Sequence, residues 1–331
     1  MKARKFYPYA FLFLGLALIV SLPGCSAARP SAALPPSPMP DATTQPPSDN
    51  TPSPIAALPA LETALPYEQL AALFDYDHSS PPVVQEKKVQ TKDGAQIHDI
   101  AFTNSNGSLL KAFLVTPSVE GPYAAIEFFS WGGRYQFLDE AISYAQMGVV
   151  SLLLDNPFSP THTSAETDRQ QLIQTVVDLR QGLDLLLAQP GVDPTRLAFV
   201  GHSEGAIFGA VLAGVDKRPA AYVLMSGTGH KSKDLEKELD ISDPVKQEAY
   251  LKAVSQLDGI NFIGHAAPAA LFFQNGTQDG LVPESDALEF QQAGSEPKTI
   301  KMYAAGHDLN LEAKQDRSAW LQEQLRLISQ E

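Results

Sequence analysis

Arg196-Leu197-Ala198-Phe199-Val200-Gly201-His202-Ser203-Glu204-Gly205 decides the fold of this chain. Arg196 to Val200 reads as a buried strand, and Ala206 to Gly214 as a helix of small residues that can pack closely on a sheet. A serine held on a sharp turn between a strand and a helix is a nucleophile elbow. Its glycines have a steric task, because a side chain two residues before or after Ser203 would crowd the neighbouring strand and helix. A Gly-x-Ser-x-Gly string is common by itself. The flanking strand and helix make it specific here, together with partners further along the chain.

A serine hydroxyl is a poor nucleophile at neutral pH, so it needs an imidazole to accept its proton and a carboxylate to orient that imidazole. In the order that goes with this elbow, acid and histidine follow the serine on loops after later strands. Ala269 to Gly276 is an apolar run closed by a turn, and it delivers Asp279 within Thr277-Gln278-Asp279-Gly280-Leu281-Val282-Pro283. Thr299 to Tyr303 reads as a short strand leading into Ala304-Ala305-Gly306-His307-Asp308. Asp279 is the candidate acid and His307 the candidate base. Asp279-Gly280 is also a turn signal, which leaves a plain capping role open for the aspartate. Asp258, Asp286 and Asp308 are the rival carboxylates. None closes the strand Ala221 to Gly227, the other usual site for a triad acid, and that favours Asp279. His202, beside the nucleophile, is assigned to packing.

With elbow, acid and histidine in this order, the chain from about Tyr67 to its C-terminus resembles the α/β-hydrolase fold, within it the dienelactone-hydrolase-like and esterase branch. Dienelactone hydrolases proper carry a cysteine at the elbow, whereas this chain has Ser203. The resemblance therefore implies ester cleavage through an acyl-serine intermediate rather than dienelactone chemistry. It also implies two backbone amides as the oxyanion hole. One is that of Glu204. The other belongs to Trp131 or Gly132, in the loop Ser130-Trp131-Gly132-Gly133-Arg134 that follows the strand Tyr123 to Phe129. The Trp131 ring is read either as a core-edge aromatic or as a wall of the acyl pocket.

The remaining segments alternate strand and helix, which predicts an α/β architecture with a doubly wound, mostly parallel sheet. Val149 to Leu154 is a buried strand, and Thr167 to Gln189 a long amphipathic helix stopped by Pro190-Gly191. The charges from Glu166 to Arg180 are read as its solvated face. Gln85 to Thr116, broken by Asp93-Gly94 and Asn106-Gly107, predicts antiparallel edge strands joined by tight hairpins. An insertion at about 230–262, with helical spacing in Leu235, Leu239, Val245, Tyr250 and Val254, predicts a small helical cap over the mouth of the site.

Residues 1–24 have the layout of a signal peptide: Lys2, Arg4 and Lys5, an apolar stretch from Phe11 to Val20, then Leu22-Pro23-Gly24 before Cys25. This resembles a bacterial lipoprotein signal, which implies lipidation of Cys25, the only cysteine. The apolar stretch is short for a membrane span. Residues 25–66 are dominated by Pro, Ser, Ala and Thr, a composition that extends rather than folds, and read as a tether. Residues 67–331, about 265 in number, suit one catalytic domain.

The chain has 331 residues and a formal charge of −14, from 24 Lys and Arg against 38 Asp and Glu. That balance argues against nucleic acid as a partner. No spacing of His, Cys or Asp suggests a metal, and the elbow lacks a phosphate-loop lysine, so no cofactor is expected. The sequence predicts a serine hydrolase lipid-anchored to a membrane of the bacterial cell envelope, its catalytic domain extracytoplasmic, acting on small-molecule carboxylic esters. Two alternatives stand beside it: a serine peptidase of the prolyl-oligopeptidase-like type, and a non-catalytic surface binding lipoprotein on a hydrolase scaffold. The oligomeric state is not legible.

Overall fold

The computed structural model describes residues 64–79 and 81–327. The signal segment 1–24, Cys25 and residues 26–63 of the tether lie outside them. At the start of the described chain, Leu65 already packs against the core and its amide donates to Gln256 Oε1 at 3.3 Å. The last residues assigned to the tether thus belong to the folded body.

A short helix, α1 (Tyr67–Ala72), precedes three strands, β1 (Val84–Lys92), β2 (Ala95–Thr103) and β3 (Leu109–Pro117). These pair antiparallel, in register Ile97 with Val115 and Val89 with His98. Asp93 and Gly94 both have positive φ, +50° and +75°, the two-residue turn geometry that matches strand twist. Then follow β4 (Tyr123–Ser130), α2 (Leu138–Ala145), β5 (Val149–Leu154), α3 (Ala165–Leu187), β6 (Val192–His202), α4 (Glu204–Val215) and β7 (Ala221–Met225). Two helices, α5 (Lys231–Lys237) and α6 (Pro244–Val254), come before β8 (Ala270–Gly276), α7 (Glu284–Ala293), β9 (Lys298–Tyr303) and α8 (Leu311–Gln324).

The nine strands of the described residues form one sheet in the order β1-β2-β3-β5-β4-β6-β7-β8-β9. β5 through β9 run parallel to one another along that order, and β3 joins β5 antiparallel. The central strands read as continuous apolar runs because both faces are covered. Successive residues serve opposite layers: Leu271 and Phe273 face the core with α3 and α4, while Phe272 faces α2 and α8. Each such fully buried side chain contributes about 1.5–3 kcal/mol. At the β4–β6 boundary the chain's direction of travel through the sheet reverses, and crevices for ligands open at the carboxyl ends of strands at such a point.

Helix α3 departs from the sequence reading. Its predicted solvated face is partly interior: Asp168, Arg169 and Asp178 are all buried. Asp168 accepts hydrogen bonds from the Thr161 amide at 2.6 Å, the His162 amide at 3.0 Å and the Tyr250 hydroxyl at 2.7 Å, and Arg169 donates to the Ala253 carbonyl at 2.6 Å. The reason is that α6 lies against α3 and covers Asp168 and Arg169, while Asn104, at the turn after β2, meets Asp178 at 2.8 Å. Another buried acid, Glu127 of β4, sits against Gly182, where an added Cβ would come within 2.0 Å of Oε1. Burial raises its carboxyl well above the ordinary range, which favours the neutral form.

Candidate active site

Register assembles the site. Ser130 of β4 pairs with His202 of β6, His202 pairs with Met225, and Met225 with Gln274, so the loops leaving β4, β6, β7 and β8 emerge side by side. At the end of β6 the chain turns on Ser203, with φ +56° and ψ −116°. A non-glycine residue in that region costs on the order of 1–3 kcal/mol. The Ser203 amide donates to the Met225 carbonyl at 2.8 Å, and the Ser203 carbonyl accepts from the amides of Ala206 and Ile207, so strand and helix both grip the strained residue. The flanking glycines are sterically required: a Cβ on Gly205 would lie 1.9 Å from the Phe129 carbonyl oxygen, and one on Gly201 2.2 Å from that of Gly205.

The three residues chosen from the sequence converge although they span more than a hundred positions. His307 Nε2 lies 2.8 Å from Ser203 Oγ, and His307 Nδ1 lies 2.9 Å from Asp279 Oδ2. The Asp279 side chain is almost completely buried, and its second oxygen accepts from the amides of Leu281 at 2.8 Å and Val282 at 3.0 Å. Asp279 is therefore both the turn-capping residue that the sequence allowed and the partner of His307. A carboxylate can only accept, so Nδ1 carries the proton and Nε2 is left to accept from the serine hydroxyl. The rivals are engaged elsewhere: Asp258 accepts from Ser232 N at 2.7 Å and from Ser232 Oγ at 2.5 Å, and Asp286 meets Lys233 at 3.3 Å. Asp308 lines the cavity beside His307.

His202 is not a packing residue. Its Nε2 donates to the His307 carbonyl at 2.9 Å, and its Nδ1 accepts from Gln136 Nε2 at 3.0 Å. Burial holds this imidazole below its ordinary range, in keeping with the neutral tautomer those partners require. The Ser226 hydroxyl donates to the same carbonyl at 2.6 Å. His307 is thus fixed through its main chain by the last residue of β6 and the residue after β7, and Gln136 ties that arrangement to the loop after β4. Adjacency to Ser203 was the only sequence signal for His202, and neither Gln136 nor Ser226 carried one.

A cavity of about 930 Å³ opens above Ser203. Trp131 and Gly132 line one side and Glu204 begins α4 at its floor. The first amides of a helix have no intrahelical acceptor, which leaves the Glu204 N–H available to a ligand. Trp131 is 77% exposed and lines the cavity, so it is a rim residue and not a core-edge aromatic. Of the two helices that the predicted cap segment forms, α5 and α6, only α5 lines the cavity, through Lys231, Asp234, Leu235 and Lys237. Helix α6 is spent on α3, with Tyr250 and Val254 buried there and Val245 exposed. Among the described residues no group of three or more His, Cys, Asp or Glu side chains is placed to hold a metal ion.

No protein-family model matches the chain. It is 28% identical over 154 residues to the polyketide transferase ATR5 of Stachybotrys chlorohalonatus, an alignment covering 46% of this chain and 49% of that protein. The chain spans about half the length of the curated relatives it matches. Among solved structures, the acetyl xylan esterase from Paenibacillus sp. R4 superposes with a TM-score of 0.64 at 19% identity, covering 78% of this chain and 92% of that one. Acetyl xylan esterase 1 from Thermoanaerobacterium sp. JW/SL YS485 superposes with a TM-score of 0.65 at 18% identity, covering 80% and 93%. Together with the sheet order, these likenesses show that the chain has the α/β-hydrolase fold.

Proposed function

We propose that this chain is a serine hydrolase that cleaves carboxylic esters through an acyl-serine intermediate. The observation that carries the reading is the continuous relay from Asp279 through His307 to Ser203, at 2.9 and 2.8 Å. Ser203 Oγ attacks the ester carbonyl while His307 Nε2 takes its proton, and the carbonyl π electrons move onto oxygen. The amide of Glu204, with that of Trp131 or Gly132, receives this oxyanion. Collapse expels the alkoxide, which takes the proton from His307 and leaves as the alcohol. Water, activated by the same imidazole, then releases the acid and restores the serine. Asp279 keeps the Nδ1–H tautomer and stabilises the imidazolium.

A cavity of about 930 Å³ sits at the upper end of the ~300–1,000 Å³ usual for small-molecule sites. This supports an ester whose alcohol or acyl part is bulky. That structural neighbours include acetyl xylan esterases supports ester chemistry. Lipidation at Cys25 and a Pro-rich tether would hold the catalytic domain outside the cytoplasm on a membrane of the cell envelope.

The test is covalent labelling with a fluorophosphonate probe, located by peptide mass spectrometry, followed by turnover of short and long p-nitrophenyl esters and of peptide amides. Label on Ser203, lost in Ser203→Ala, with ester turnover is expected. Amide turnover in excess of ester turnover would transfer the assignment to a peptidase. An unlabelled wild type without turnover on either substrate would favour a binding protein.

A further inference from the structure

Glu204 follows the nucleophile directly, and its side chain is as constrained as its amide is exposed to the cavity. Oε1 accepts from Lys231 Nζ at 2.5 Å, and Asn156 Nδ2 donates to Oε2. The Lys231 and Glu204 side chains are only 10% and 9% exposed. The ammonium also lies 4.9 Å from the centre of the Phe158 ring. Asn156 and Phe158 belong to the loop after β5, whereas Lys231 is the first residue of α5. The elbow, that loop and the cavity-lining helix therefore meet on one carboxylate.

Two physical consequences follow. A buried carboxylate one residue from Ser203 would oppose the negative charge that develops on the substrate oxygen, and its burial limits how far solvent can screen that opposition. Its pairing with Lys231 cancels it. The same pair clamps the first turn of α4, and with it the N–H that faces the oxyanion.

We propose that Lys231 is a positioning residue for ester hydrolysis: through Glu204 it fixes and electrically neutralises the start of α4, which makes turnover depend on α5 being seated over the cavity. The inference rests on the serine-hydrolase reading above. It assigns to α5 a part in the chemical step, beyond shaping the pocket.

Removing one member of a buried pair strands the other charge. Lys231→Met, in the full-length chain assayed with p-nitrophenyl butyrate, is expected to lower kcat by about 10- to 100-fold while KM changes by less than about threefold, the signature of an interaction made in the transition state. Adding Glu204→Gln to that variant removes the stranded charge and should recover at least about fivefold of the loss. Lys231→Arg, which keeps the cation, should stay within about threefold of wild type. A merely structural lysine would lower the melting temperature in all three variants without this kcat pattern, once rates are divided by fluorophosphonate-titrated sites. If Lys231→Met does not fold, Lys231→Gln takes its place under the same criteria. Wild-type kcat in the charge-removing variant, no recovery in the double variant, or a folded Lys231→Arg as slow as Lys231→Met would each overturn the proposal. A wild type that neither labels nor turns over ester would instead overturn the hydrolase reading beneath it.

Discussion

Asp279→Asn is a sharp probe of the relay because the surroundings dictate which way the amide must face. Asp279 Oδ1 accepts two backbone N–H groups, from Leu281 at 2.8 Å and Val282 at 3.0 Å, and Oδ2 accepts His307 Nδ1–H at 2.9 Å. An asparagine has one oxygen. Turning its NH2 toward the two amides would leave two donors without acceptors, at about 1–3 kcal/mol each, so the oxygen stays with them. The NH2 then faces His307 Nδ1 and donates to it. This moves the imidazole proton to Nε2, which points at Ser203 Oγ from 2.8 Å. The hydroxyl loses its base while every heavy atom keeps its place. The expected fall in kcat lies between about 10² and 10⁴, the range associated with general-base catalysis and with a wrong tautomer. Turnover of p-nitrophenyl butyrate per folded enzyme, with a melting temperature near that of wild type, is the assay. A folded Asp279→Asn within about fivefold of wild type would refute the tautomer argument, and an essential Asp258 or Asp286 in that case would reassign the acid.

Gly205→Ala would set a Cβ 1.9 Å from the Phe129 carbonyl, against a closest tolerated approach of 3.0 Å, so backbone must yield by about 1.1 Å (3.0 minus 1.9). Misplacement on that scale costs on the order of 100-fold in rate, and overpacking costs roughly 1–3 kcal/mol, or about 2–12 °C in melting temperature at this size; a folded variant with wild-type turnover would show the elbow less confined. Asp178, held by Asn104 at 2.8 Å and Gln174 at 2.7 Å, is pushed up to about 7 by burial, above its unfolded value. The protonated form is thus the one the fold prefers, and stability contributed below about pH 4 is lost as pH rises toward 7. Asp178→Asn should therefore gain on wild type in urea unfolding free energy between pH 4.5 and 7.5, by a few kcal/mol at most, and parallel curves would deny the shift. Cys25→Ser should move the protein from the membrane fraction to a soluble or uncleaved form; a wild type already soluble and cleaved at another position would remove the lipid anchor.

What the sequence determined by itself was whatever short-range physics controls. A short apolar run such as Val149 to Leu154, bounded by turn residues, reads as a strand buried on both faces, and Asp93-Gly94 can take the positive φ values of a tight hairpin. The elbow glycines follow from the turn they flank, and the order serine, aspartate, histidine was legible through the motif that goes with this elbow. Tertiary structure alone decided which charges are interior. Asp168 and Arg169 lie on a helix whose pattern reads as solvated, and they are buried because α6, some 80 residues later, covers them. It also decided among the carboxylates, since only packing brings Asp279 to His307 and gives Asp258 to Ser232. The roles of His202, Gln136, Ser226 and Lys231 were illegible for the same reason: the partner of each is set by strand register or by a helix arriving from elsewhere in the chain. Local sequence carries the periodicity that makes elements, whereas a hydrogen bond between distant residues exists only after those elements have packed.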